Sequence, residues 1–201
     1  AVHGVEPQTE TVWRQASHFD IPRVIFVNKM DRPGADYDRS MATIAKRLDG
    51  NPVPVCVPTD EHTVVNLVNG RVISFSGERG EVVTESDLTD ALREATAGYR
   101  ETMLLSAAEF DPTLEDVALE GGDADPAQVW AALRKGTIAG AIQPCFSGSA
   151  LRNWGVQPLL DGVIELLPAP KDRPPTQAIN LKADTTEVVE MTDDGPLAAL
   201  A

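Results

Sequence analysis

The sequence predicts an α/β fold interrupted by an α+β insertion, and three observations predict it. Segments of helical periodicity alternate with short apolar, strand-like runs over residues 8–57, and the alternation resumes near Gln143. Between these stretches lie short apolar runs broken by Asn69-Gly70 and by residues 78–80, a pattern of antiparallel hairpins, and several helices follow them. Two polar motifs, Asn28-Lys29-Met30-Asp31 and Ser147-Gly148-Ser149-Ala150, stand where two separate strands end. Ligand loops of open α/β sheets form at that end of the strands.

The elements follow in order. Residues 8–19 place Val12, Ala16 and Phe19 at helical spacing, and Ile21-Pro22 then leads into a strand over residues 23–27. A second helix over residues 36–48 carries Met41, Ile44, Ala45 and Leu48 on one side and stops at Gly50-Asn51-Pro52. One strand is expected over 53–57, then short antiparallel strands within 64–83, with Leu67, Val68, Val72, Ile73 and Phe75 as their apolar residues. From about residue 87 to 109, Leu88, Leu92, Ala95, Tyr99 and Met103 define a long amphipathic helix. Asp111-Pro112 breaks it, and residues 113–119 form one more short helix.

Asp125-Pro126-Ala127-Gln128 then supplies an N-cap, a proline at the first helical position and a polar partner at N3 for a helix over 126–135. Val129, Trp130 and Leu133 form its packing side. A closing helix over 157–167 turns Leu159, Leu160, Val163 and Leu167 inward, and Pro168, Pro170, Pro174 and Pro175 end it. Residues 178–181 and 197–201 have the character of strands opening a further domain, and a strand without neighbours is a poor independent unit.

Composition narrows the function classes. The 201 residues carry 17 basic against 31 acidic side chains, a formal charge of -14, so most of the surface repels nucleic-acid phosphates. No apolar run is long enough to span a bilayer, and the start Ala1-Val2-His3-Gly4 lacks the basic and apolar segments of a secretory signal. Cys56 and Cys145 each sit in an apolar, strand-like run and read as buried free thiols. Three histidines, none at ligand spacing to a cysteine, give no metal motif.

The two motifs can build a guanine-selective pocket. Asp31 can accept two hydrogen bonds on one carboxylate, and guanine offers two adjacent donors, its ring N1–H and its amino group, where adenine does not. Lys29 has a methylene stem that can lie along a flat ring while its ammonium stays in water or meets a ribose oxygen. Asn28, with donor and acceptor atoms, suits tying the strand end to neighbouring loops. In the second motif, the Ser149 hydroxyl can steady Asp31, and the backbone N–H of Ala150 can face the guanine carbonyl, its small side chain permitting close approach. The sequence holds no GxxxxGK[ST] phosphate loop.

Residues 4–16, residues 27–36, Gly50-Asn51-Pro52-Val53-Pro54, and Gly148-Ser149-Ala150 with Asn153-Trp154-Gly155-Val156-Gln157 together resemble bacterial or organellar translation elongation factor G, nearly end to end. The resemblance implies a partial P-loop GTPase (G domain) fold with an α+β insert subdomain, followed by the start of a β-barrel domain. It implies the C-terminal half of the GTP-binding domain at 1–52 and 140–170, the insert at 53–139, and a linker with the first barrel strands at 171–201. By the same resemblance, Asn28, Lys29 and Asp31 match the guanine-binding motif, and Ser149 and Ala150 match the later base-contacting motif. The segment 58–68 is shorter than is usual in the family.

The implied activity is ribosome-dependent GTP hydrolysis coupled to translocation of tRNA and mRNA. The alternatives are a ribosome-recycling paralogue, a ribosome-protection GTPase or a non-catalytic ribosome-binding fragment. The implied cofactors are GTP and GDP, with Mg²⁺ bound through residues outside this sequence. The phosphate loop, both switches, the Asp-x-x-Gly motif and the water-orienting histidine are expected upstream of Ala1, so these 201 residues alone are expected not to hydrolyse GTP. The implied partners are the ribosome, with its large-subunit stalk proteins and rRNA, and the bound tRNA and mRNA. A monomer is expected, in the bacterial cytoplasm or an organellar matrix and without membrane association.

Overall fold

Helix α1 (Pro7–His18) opens the ordered elements, followed by strand β1 (Ile25–Val27), helix α2 (Tyr37–Leu48) and strand β2 (Pro52–Pro54). Strands β3 (Cys56–Asp60), β4 (Thr63–Asn66), β5 (Arg71–Ser76) and β6 (Val82–Asp87) come next, then helices α3 (Asp90–Ala108), α4 (Glu115–Glu120) and α5 (Pro126–Ile138). Strand β7 (Gln143–Ser147), helix α6 (Val156–Leu166) and strands β8 (Thr176–Asn180) and β9 (Thr185–Val189) complete the mixed α/β fold. This computed structural model describes residues 1–60, 62–120, 122–172, 176–180 and 185–189. Two units are distinguished, Ala1–Leu167 and Pro168–Ala201.

In the first unit a parallel sheet runs β1-β7-β2, and an antiparallel sheet runs β3-β4-β5-β6. The parallel register sets Ile25 beside Cys145 and Val27 beside Ser147, with Pro54 on the other side of Cys145. β7 is therefore the central strand, and all five of its residues are buried, as expected of a parallel strand covered on both faces. Parallel pairing makes the carboxyl ends of β1 and β7 coincide, so residues 28–31 and 148–150 leave the sheet side by side.

The strand expected over 53–57 is in fact two strands in different sheets. β2 pairs with β7, whereas β3 pairs with β4. Val55 is the crossing point: its N–H donates to the Cys145 carbonyl at 2.9 Å, and its own carbonyl accepts from Leu67 N–H at 2.9 Å. An unbroken apolar run does not show where hydrogen bonding changes partner, because Val53, Val55 and Val57 are all buried.

Period-two alternation turns residues of β3, β4 and β5 into two different clusters, while β6 is exposed along its length. Val57, Val65 and Val72 share one cross-strand row and join the main core, which also holds Val53, Met103, Leu104, Val129, Leu133 and Phe146. Val64, Ile73 and Phe75 enter a second, smaller cluster around Trp154. The inserted segment thus shares one core with the parallel sheet.

The long helix starts at Asp90, later than the periodicity suggests, because Val82–Asp87 pair with β5 as an edge strand. Thr89 caps it, its Oγ1 accepting Leu92 N–H at 3.3 Å. Its buried residues are Thr96, Met103, Leu104 and Ala107, while Ala95 is exposed. After a 3-10 turn at Pro112–Leu114 and the short α4, the N-cap at Asp125 forms as expected, accepting Ala127 N–H at 3.1 Å. Gln128 does not close a reciprocal box; its amide donates to Asp111 Oδ2 at 3.1 Å and to Thr113 Oγ1. Trp130 is half-buried, packing on the core and donating its indole N–H to Asn69 Oδ1 at 3.1 Å.

Other apolar stripes also differ from expectation. No residue of α1 is buried, and Val12 and Phe19 are exposed; Trp13 packs instead against Val5, Ile44 and Leu48, with the Arg23 guanidinium 4.5 Å over its ring. In α2, Tyr37 and Ser40 are buried with Ile44 and Leu48, while Ala45 is exposed. In α6 the buried positions are Pro158, Gly162 and Leu166, while Leu160 faces solvent. The ring of Phe146 selects this face: a side-chain carbon at Gly162 would overlap it. Cys56 and Cys145 are buried free thiols, and burial pushes both far above the usual thiol range.

In the second unit β8 and β9 form an antiparallel hairpin, Thr176 pairing with Val189 and Asn180 with Thr185. The strand expected at 178–181 is this β8, apart from Leu181, which lies outside the described residues. The strand expected at 197–201 also lies outside them.

Candidate functional site

Two loops extend the β1-β7 pairing past the end of the sheet. Gly148 N–H donates to the Val27 carbonyl at 3.2 Å, and Met30 N–H donates back to the Gly148 carbonyl at 3.0 Å. The first loop then turns at Lys29, whose φ of 63° lies in the left-handed region. Asn28 holds that turn, its Oδ1 accepting Lys29 N–H at 2.7 Å. The same oxygen accepts Ala150 N–H at 3.0 Å, tying the two loops together.

The second loop is a tight excursion closed by a two-way backbone bridge. Ser149 N–H donates to the Trp154 carbonyl at 2.9 Å, and Trp154 N–H returns to the Ser149 carbonyl at 3.1 Å. Two glycines make the crossing possible. A side-chain carbon at Gly148 would overlap the Trp154 carbonyl, and one at Gly155, whose φ is 76°, would overlap the Ser147 carbonyl. Below the loop, the buried Ser147 hydroxyl donates to the Cys56 carbonyl at 3.0 Å, anchoring β7 to the inserted sheet.

Asp31 lies partly exposed beside this bridge. A hydrogen bond from the Ser149 hydroxyl is the largest influence holding its carboxyl below the usual range; partial burial opposes this, and the Asp31 backbone N–H, Arg152 and Arg32 add to the lowering. Ser149 Oγ in turn accepts Arg152 N–H at 3.3 Å. The carboxylate is thus ionised at neutral pH and able to accept paired N–H donors. Lys29 is exposed.

All five residues singled out by the motifs, Asn28, Lys29, Asp31, Ser149 and Ala150, come from these two adjoining loops. The Ala150 N–H, expected to face a bound base, is donated here to Asn28 Oδ1. Motif reasoning alone misses Gly148 and Gly155 as crossing points, and Arg152 and Trp154 as neighbours of the motif. The spacing of the two glycines around a single tryptophan is the signal that could have found them. A groove of about 1020 Å³ among Val5, Trp13, Phe26, Ile44 and Leu48 reaches Asn28 and Lys29 at its edge but does not include Asp31, Ser149 or Ala150. Among the described residues, no group of three or more His, Cys, Asp or Glu side chains is placed to hold a metal ion, and no helix is long and apolar enough to cross a membrane.

Residues 1–169 match the sequence profile described as the elongation factor Tu GTP binding domain. The fold is similar to that of a solved protein from Thermus thermophilus, with a TM-score of 0.72 and 25% sequence identity. That likeness covers 88% of this chain and 27% of the other, so this chain spans about a quarter of its length. The family match extends through both loops that carry the candidate residues, and the chain belongs to the elongation factor Tu GTP-binding-domain family, the guanine-nucleotide-binding domains of translational GTPases.

Proposed function

We propose that this chain supplies the base-reading loops of a ribosome-dependent GTPase of the elongation factor G type, and that the whole protein moves tRNA and mRNA through the ribosome. The observation that carries the base-reading assignment is the meeting of the two motif loops, joined by the Ala150 N–H to Asn28 Oδ1 and by Met30 N–H to the Gly148 carbonyl, which brings Asp31 beside Ser149. Asp31 takes the N1–H and amino donors of guanine, Lys29 lies along the ring, and Asn28 fixes the spacing of the loops. A guanine carbonyl approaching Ala150 competes with Asn28 Oδ1 for one donor, so this contact discriminates the base only after a small local exchange. GTP and GDP suit this donor set, and in the whole protein Mg²⁺ and the phosphates would be held by other residues than these five.

On this reading residues 1–52 and 140–170 are the C-terminal half of a GTP-binding domain and 171–201 a linker with the first strands of a β-barrel; the insert, expected at 53–139, begins instead at Cys56, because Val53–Val55 hydrogen-bond to β7 of the parallel sheet. The partners are the ribosome, including stalk proteins and rRNA contacted through the whole protein, which works as a monomer in a bacterial cytoplasm or organellar matrix. The net charge of -14 fits an insert that meets protein more readily than RNA.

Calorimetry on the full natural chain tests the base assignment. Asp31→Asn should weaken GDP binding and shift preference toward XDP, whose altered edge presents an acceptor to the new amide. Unchanged GDP and XDP affinities would overturn it. Ribosome-stimulated GTP hydrolysis, followed by translocation and subunit-splitting assays, separates a translocase from a recycling factor. Residues 1–201 alone should show no single-turnover hydrolysis above a protein-free control.

A further inference from the structure

The two base-reading loops rest on the inserted antiparallel sheet, and Trp154 is the contact. Its backbone closes the Ser149 bridge, while its side chain, 2% exposed, packs with Val64, Ile73 and Phe75. Met30, from the other base-reading loop, packs on the same cluster, and the His62 ring meets the indole edge-on at 6.1 Å. A second contact lies close by. Gly80, in the turn between β5 and β6, sits against the backbone of Arg152 and Asn153 so closely that a side-chain carbon there would overlap the Arg152 carbonyl. Its φ of 64° also suits glycine.

From this juxtaposition we infer that the inserted sheet sets the geometry of the guanine pocket, with Trp154 and Gly80 as positioning residues that act through Ser149, Asp31 and Met30 without touching the nucleotide. The inference rests on the base-reading assignment above. Bidentate recognition by Asp31 requires its carboxylate and the Ala150 N–H to hold their relative places to within about 0.5 Å. Loops alone seldom hold such a tolerance, whereas strands packed into a core, as β3, β4 and β5 are, do. The face of the sheet bearing Val64, Ile73 and Phe75 is committed to the indole, so a shift of the insert displaces Ser149 and Met30 together. Changes of state in the insert and occupancy of the base pocket are then thermodynamically linked, each biasing the other.

The indole N–H has no hydrogen-bond partner although it is buried. Trp154→Phe therefore removes no hydrogen bond and should keep GDP affinity, whereas Trp154→Ala should weaken it about tenfold or more through misplacement of the loops. Gly80→Ala, which leaves the Trp154 cluster intact, should also weaken GDP binding and speed GDP release. Glu85→Gln, on the exposed strand β6 of the same sheet, should leave both unchanged. Hydrogen exchange on the unaltered full chain needs no variant: GDP should slow amide exchange at residues 73–80 as well as at 147–155.

Protection confined to 147–155, or GDP affinity unchanged in Gly80→Ala, would overturn the inference. A loss in Glu85→Gln as large as in Gly80→Ala would overturn it too. Asp31→Asn, measured in parallel, separates the two levels. If it shifts preference from GDP to XDP while Gly80→Ala has no effect, the pocket stands and the role of the sheet fails; if Asp31→Asn has no effect, the base assignment itself fails.

Discussion

Asn28 Oδ1 accepts the backbone N–H of Ala150 at 3.0 Å, joining residues 122 apart in the chain. It accepts Lys29 N–H as well, so one side-chain oxygen holds a left-handed turn and sets the distance between two loops. Both neighbours are at the surface, where water can replace a lost acceptor. Asn28→Ala should therefore cost only about 1 kcal/mol of stability by thermal denaturation. It should reduce GDP affinity more, by about tenfold, because the loops lose their register. Asn28→Asp keeps the acceptor and should keep the bridge. Calorimetry showing wild-type affinity for Asn28→Ala would separate this bridge from nucleotide binding.

The Asp31–Ser149 pair makes a testable claim about pH. The folded carboxyl titrates below the usual carboxylate value of about 3.9, so its contribution to stability is fully present above that value. It is lost as pH falls from there through the depressed folded value. Ser149→Ala removes the largest cause of the depression and should raise the Asp31 titration midpoint toward the ordinary value. Carboxyl-carbon NMR of both proteins measures this; coincident titration curves would rule out the hydrogen bond as the cause.

Tyr99 carries the opposite sign at the alkaline end. Burial, then the hydrogen bond from its hydroxyl to Asp38 Oδ1 at 2.6 Å, pushes its phenol up to about 12. The folded state thus holds this proton where the unfolded chain has lost it. The associated stability is complete below about pH 10 and declines as pH rises from there through about 12. Asp38→Asn should bring the Tyr99 midpoint down, while burial still holds the Tyr37 phenol well above its ordinary value. Tyrosinate absorbance during alkaline titration distinguishes the two rings.

Two glycine-to-alanine changes should move stability in opposite directions. Gly162→Ala drives a methyl into the Phe146 ring at the α6–β7 contact and should cost about 1–3 kcal/mol by urea denaturation. Gly98, on an exposed turn of α3, has open space where a methyl would project, with no atom within 4 Å, and Gly98→Ala should stabilise by about 0.5–1 kcal/mol. A neutral Gly162→Ala would mean that Phe146 does not fix the seat of α6.

The alternation of helices and strands, the helix starts at Asp36 and Asp125, and the hairpins around Asn69-Gly70 were legible in the sequence. Each depends on local backbone preference or on periodicity within a few neighbouring residues. That the two loops bearing the five candidate residues leave neighbouring strand ends was legible for a similar reason: their motifs fall directly after apolar runs. The division of 53–57 between two sheets was not legible, because burial is the same on both sides of Val55 and only hydrogen-bond partners differ. The inward faces of α1, α3 and α6 were set by what packs on them: Trp13 against α2, the main core against Met103 and Leu104, and Phe146 at Gly162. The destination of the Ala150 N–H and the seating of Trp154 on the inserted sheet likewise depended on contacts across long stretches of chain. Local sequence specifies which atoms a residue can offer; only tertiary packing decides which of the competing partners takes them.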